Sequence, residues 1–211
     1  METEKIKIVD KNLNEIGVAE RQEVHRNGFW HETFHCWFIS LEKQTNYIYF
    51  QLRSPLKKDY PNLLDITAAG HLLADETVND GIREVKEELG IDLGMEELIN
   101  LGIIEHSLTE EDFLDNEFCH VFLYYRQGEI NGFELQTEEV AGIMKARFSD
   151  FKNLWLGSAE EIRMAGFVIS EDGTQTKIDK YVGKNQFIPN TARYFETFIR
   201  RCQEHLKNEP F

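Results

Sequence analysis

The run REVKEELGI, from Arg83 to Ile91, constrains this chain more than any other stretch. Thr77 followed three residues later by Asp80 has the spacing of a capping box, and Gly90 supplies a stop just beyond a helix end. A helix is therefore predicted over about 78 to 89. At roughly 100° per residue, Val78, Ile82, Val85 and Leu89 fall on one side, and Asp80, Glu84, Glu87 and Glu88 gather on the other. The apolar side is made to pack. On the acidic side Glu84, Glu87 and Glu88 are i, i+3 and i+4 neighbours of like charge, an arrangement that destabilises a helix unless cations intervene. Only Arg83 and Lys86 stand close by. A solvated acidic face is the ordinary reading of such a pattern. The alternative is a face that holds hard divalent cations, which prefer carboxylate, water and phosphate oxygens.

The rest of the chain reads as mixed α/β. Residues 6–10, 32–41, 46–53, 63–70, 97–106 and 117–128 have the β-branched and aromatic content of strands. Further helices are predicted over about 149 to 163 and 191 to 206, the last with Tyr194, Phe195 and Phe198 on one stripe for docking on the core. Residues 166–188 read as a hairpin around Asp172 and Gly173, followed by a loop. No repeat and no proline-rich linker divides the 211 residues. One domain over 1–150 with an extension over 151–211 packed on it is the expected organisation.

A formal charge of −15 opposes binding to a polynucleotide backbone, which depends on lysine and arginine displacing counterions. The charged N-terminal run and the lack of a long apolar stretch signal neither secretion nor a membrane span. Cys36, Cys119 and Cys202 are widely spaced and lack the paired spacing of a zinc or redox motif, so a reducing, cytoplasmic setting is expected. A homodimer is compatible with the sequence, which leaves oligomeric state open.

Gly70, Glu76 and the block from Arg83 to Ile91 together resemble the box that defines the Nudix hydrolases. The spacing has one fault. Six residues separate Glu76 from Arg83 where the pattern has seven, and the ungapped register would use Ala69 and Asp75 instead. Which carboxylate pairs with Arg83 stays open at the level of sequence. The resemblance implies an α/β/α sandwich around a mixed sheet, with Mg2+ or Mn2+ held by Glu84, Glu87 and Glu88 near Gly70 and Arg83 orienting the carboxylates. It also implies hydrolysis of a diphosphate linkage in a small molecule. A glutamate serves as base, with Glu84, Glu88, Glu138 and Glu139 as candidates.

Residues 6 to 151 are also similar to the isopentenyl-diphosphate isomerase-like branch of that superfamily. The similarity is carried by IVDKNLNEIGVAERQEVHRNGFWHETFHCWFI and RSPLKKDYPNLLDITAAGH. It implies a further metal site from His25, His31, His71, Asp115 and Glu117, and a diphosphate grip from Arg53 and Lys57. Each has a plainer reading, the histidines as structural residues and the lysine as a loop cation. His35 reads as a packing residue, and Cys36 and Cys119 as small buried apolar ones. Isomerisation needs an acid and a base on opposite sides of a double bond. Glu117 matches the glutamate of the isomerases, but Ala69 stands where they carry a cysteine, and Glu84, Glu87 and Glu88 are all retained. Hydrolase is therefore the first expectation, isomerase the second, and a binding-only metabolite sensor the third.

Overall fold

A strand buried on both faces must be central, and the run Trp30 to Glu42 is such a strand. Phe34, Cys36 and Phe38 point into one apolar layer, while Trp37 and Ile39 point into the other. The computed structural model describes residues 4–110, 113–170, 172–189 and 192–206. Its strands are β1 (Lys5–Val9), β2 (Glu15–Glu20), β3 (Trp30–Glu42), β4 (Thr45–Arg53), β5 (Leu64–Asp65), β6 (Ala68–His71), β7 (Leu98–Glu110), β8 (Phe113–Gln127), β9 (Val140–Arg147), β10 (Glu161–Ile169) and β11 (Gln175–Gly183). The helices are α1 (Arg21–Asn27), α2 (Arg83–Leu89), α3 (Phe148–Trp155) and α4 (Ala192–Leu206).

One mixed sheet runs β11-β10-β9-β4-β3-β1-β2, with β6 and β8 also paired to β3, β5 to β4 and β7 to β8. The β3–β8 pairing is parallel and puts His31 opposite Glu117. On one face α2 buries Val85 and Leu89 against Phe34, Phe38 and Phe122. On the other, α3 and α4 bury Phe151, Tyr194, Phe195 and Phe198 around Trp37 and Phe50. Trp37 stacks on Phe198 with ring centroids 4.4 Å apart. Each such ring removed from water stabilises the fold by about 1.5–3 kcal/mol. The expected α/β/α sandwich is thus present, and the aromatic stripe of the last helix is part of the core.

Several expectations need correction. The helix predicted to 163 stops at Trp155, because Gly157 adopts φ +83° and residues 161–164 switch to period two, with Ile162 and Met164 buried between exposed Glu161 and Arg163. The strand over 63–70 is split into β5 and β6. The helix expected over 78–89 begins as a 3-10 turn over Asp80–Ile82 before α2. Thr77 donates its backbone N–H and its hydroxyl to the Asp80 carboxylate, so only one half of the capping box forms. β2, α1 and β9 were not anticipated. The hairpin at Asp172 and Gly173 joins β10 to β11, and this pair extends the sheet from β9. Among the described residues no helix is long and apolar enough to cross a membrane.

Candidate active site

Arg83 organises the acidic face of α2. Its Nε bonds Glu76 Oε1 and one terminal nitrogen bonds Glu76 Oε2 at 3.0 Å, a two-pronged grip. The other terminal nitrogen donates to Glu84 Oε1 at 2.7 Å and to Glu87 Oε2 at 2.9 Å. Glu76 also accepts the Leu73 N–H. The gap in the motif is therefore accommodated in the loop, and Glu76, not Asp75, pairs with Arg83.

Gly70 explains itself by what stands against it. A Cβ there would lie 2.1 Å from Glu84 Oε1. The glycine is a cradle for that carboxylate. Glu88, one turn on, is buried and accepts both the Ala69 N–H (3.1 Å) and the Gln51 side-chain amide (3.2 Å) on Oε2. Among the described residues Oε1 takes no hydrogen bond. Burial pushes Glu84 up to about 7, against the pull of Arg83. Burial and then the neighbouring Glu84 raise Glu88 well above the usual carboxylate range. Two crowded carboxylates, one buried and one partly buried, that resist ionisation are a donor set suited to a hard divalent cation. Glu87 is exposed at the rim.

The second group of expected ligands also converges. His25 Nδ1 lies 2.8 Å from the Arg21 carbonyl and His31 Nδ1 3.0 Å from the Phe29 carbonyl, so each ring donates there and turns Nε2 inward. His25 Nε2 is 3.4 Å from His71 Nε2 and 3.5 Å from Asp115 Oδ1. His31 Nε2 is 3.7 Å from Asp115 Oδ1 and 3.8 Å from Glu117 Oε1. Among the described residues, His31 Nε2 and Asp115 Oδ1 are buried without a hydrogen-bond partner. Burial lowers His31 to about 4 and His71 well below its ordinary value, so their nitrogens present lone pairs. Burial, then Asp115, raises Glu117. Orphaned lone pairs facing carboxylate oxygens fit a cation better than they fit one another.

Both groups open on one cleft of about 510 Å3. Arg53 and Lys57 line it too, but each is engaged. Arg53 bonds Asp65 at 2.7 Å and the carbonyls of Asp59 and Tyr60, which ties down the loop after β4. Lys57 bonds Glu139 across the cleft. Glu138 is exposed beside it. Sequence reasoning missed Gln51, whose signal was a lone amide in an apolar strand. It also missed Arg21, on the unanticipated α1, and His106, buried opposite Glu117 in the β7–β8 register. Ala69 pairs with His35 and offers no thiol there. Cys36 and Cys119 are buried free thiols, and burial pushes both far up.

No family model matches the chain. It is 38% identical to an uncharacterized Nudix hydrolase of Clostridium acetobutylicum over 97% of this chain and 99% of that protein. It is 27% identical to an isopentenyl-diphosphate Delta-isomerase of Photorhabdus laumondii over 58% of this chain and 69% of the relative. Among solved structures, a MutT protein from Methanosarcina mazei superposes with a TM-score of 0.51 at 17% identity, covering 83% of this chain and 95% of the other. This last likeness concerns the fold alone.

Proposed function

Since the chain belongs to the Nudix hydrolase family, we propose that it hydrolyses a diphosphate linkage in a small molecule, using divalent cations held by Glu84, Glu87 and Glu88. The observation that carries this reading is the convergence of the Glu84 and Glu88 carboxylates beside Gly70, with Arg83 gripping Glu76, Glu84 and Glu87 together. Mg2+ or Mn2+ bound there would neutralise phosphate oxygens and lower the pKa of a bound water.

The chain's own residues do the rest. Arg83 holds three carboxylates in register for the ions. Gln51 and the Ala69 N–H fix Glu88 through one oxygen and leave the other for an ion or a proton. The proton of the attacking water would pass to a glutamate of this cleft, with Glu84, Glu88, Glu138 and Glu139 the candidates. His25, His31, His71, Asp115 and Glu117 form a second cation position on the same cleft, where the substrate's far end would lie. Arg53 shapes the entrance loop, and Lys57 meets phosphate when it exchanges Glu139 for the substrate. Residues 1–150 carry this machinery, and 151–211 brace it through β10, β11 and α4.

The histidine and carboxylate group favours one second reading, isomerisation of an allylic diphosphate. Ala69 speaks against it, because a methyl group has no proton to give. A panel of dinucleoside polyphosphates, nucleotide sugars, coenzyme A, nucleoside triphosphates and isopentenyl diphosphate separates these readings. Metal-dependent release of phosphate or a nucleoside monophosphate, lost in Glu87→Gln with the fold intact, is the expected result. Dimethylallyl diphosphate as product would identify an isomerase, saturable binding without turnover a sensor, and full activity in Glu87→Gln would remove the mechanism.

A further inference from the structure

Beneath the cleft, a hydrogen-bonded chain connects α4 to Glu117. Trp37 Nε1–H donates to the Tyr194 hydroxyl at 3.2 Å, and that hydroxyl lies 2.8 Å from His35 Nδ1. On its far side, His35 Nε2 is 3.3 Å from Thr33 Oγ1 and 3.9 Å from Glu117 Oε2. All five residues are buried. We propose that Tyr194 is a positioning residue: its phenol holds the His35 imidazole in the tautomer that presents Nε2–H to Glu117, so that α4 helps set the orientation of that carboxylate. This deepens the reading above and rests on Glu117 being a ligand.

The argument turns on which ring nitrogen carries the proton. A neutral imidazole has one donor and one acceptor nitrogen, and His35 is buried with Tyr194 on its Nδ1 side and Thr33 on its Nε2 side. Oxygen atoms of Thr33 and Glu117 face Nε2. An N–H there is attracted to either oxygen, that of the Thr33 hydroxyl at 3.3 Å and that of the Glu117 carboxyl at 3.9 Å. Nε2 therefore holds the hydrogen, and Nδ1 accepts from the Tyr194 O–H. At 3.9 Å the contact with Glu117 is too long for a formed hydrogen bond, so His35 supplies an oriented dipole. The Cys119 thiol donates to the same Oε2 at 3.5 Å. The Cys119 donor and the His35 dipole thus favour Oε2 from below, which leaves Oε1 facing His31 Nε2. A turned carboxylate is a better ligand than a rotating one, and losing such support usually weakens metal binding by about 10–100-fold.

Tyr194→Phe removes the hydroxyl and keeps the ring. In the metal-free full chain labelled with 15N, long-range 1H–15N correlations, assigned with His35→Gln, should show His35 with hydrogen on Nε2. In Tyr194→Phe that tautomer should no longer dominate, and the Mn2+ dissociation constant, read from free Mn2+ by EPR, should rise on the order of tenfold. Ile199→Ala, which loosens the same helix elsewhere, should lower the melting temperature while keeping the wild-type tautomer and Mn2+ affinity. An Nδ1–H form in the wild type overturns the proposal. So does a Tyr194→Phe protein with wild-type tautomer and affinity, or an Ile199→Ala protein that loses as much affinity as Tyr194→Phe. Glu117→Gln with undiminished Mn2+ affinity would instead fault the ligand assignment, because the tautomer is read without metal.

Discussion

Gly70→Ala is the sharpest perturbation the site offers, because it adds one methyl group and touches one carboxylate. The new Cβ would stand 2.1 Å from Glu84 Oε1 and 2.2 Å from its carboxyl carbon. Normal carbon contact is about 3.5 Å, so Glu84 must retreat by more than about 1 Å. The retreat stretches its 2.7 Å bond to Arg83, which costs about 1 to 2 kcal/mol for a charge-assisted bond at a partly exposed site. A fold of this size then loses a few degrees of melting temperature. Catalysis should suffer more. A misplacement of about 1 Å in a catalytic group lowers rate on the order of 100-fold. Initial rates of phosphate release at a series of Mg2+ concentrations measure this, with Gly17→Ala as control because a methyl group there meets nothing within 4 Å. If Gly70→Ala keeps kcat/KM within about threefold of wild type with the same Mg2+ dependence, Glu84 does not work from the position described.

Other outcomes follow from the same geometry. Glu76→Gln should lower both the melting temperature, by a few degrees, and kcat/KM, by about tenfold or more, while Asp75→Asn leaves both unchanged; the reverse pattern would favour the ungapped motif. In chelator-treated protein, Glu84 and Glu88 hold protons more tightly folded than unfolded. Stability should therefore fall as pH rises from the ordinary glutamate value through about 7. Melts at pH 5.5 and 7.5 test this, with the higher melting temperature expected at 5.5 and the difference smaller in Glu88→Gln. Cys36, Cys119 and Cys202 are all buried, so the native protein should resist Ellman's reagent and react fully only in denaturant. Fast native labelling of Cys119 would reopen the isomerase reading.

The acidic helix was legible because its signal is local: spacing, charge and a terminal glycine lie within one short run. The partner of Arg83 was not, since choosing between Asp75 and Glu76 depends on how the loop after His71 folds back. The Leu73 N–H settles that by bonding Glu76. β2 and α1 escaped notice because α1 has only seven residues and β2 carries its apolar side chains on the exposed side, where Ile16 and Val18 stand out of the core. The helix end at Trp155 was missed because residues 156–163 contain no proline, and period two becomes readable only beyond Gly157. Arg53 and Lys57 line the cleft. Their present partners, Asp65 and Glu139, lie 12 and 82 positions away in sequence and could not be foreseen.

The parallel alignment of β3 with β8 has a consequence for how this protein acquires activity. His31 and Glu117 face each other only after a segment of more than eighty residues has been looped out and brought home. Such a closure is slow and gains nothing until it is complete. An error of a single step in register would place Asn116 or Phe118 opposite His31 in place of Glu117. On the proposed metal site, cation uptake during refolding should appear only once this parallel pairing has formed.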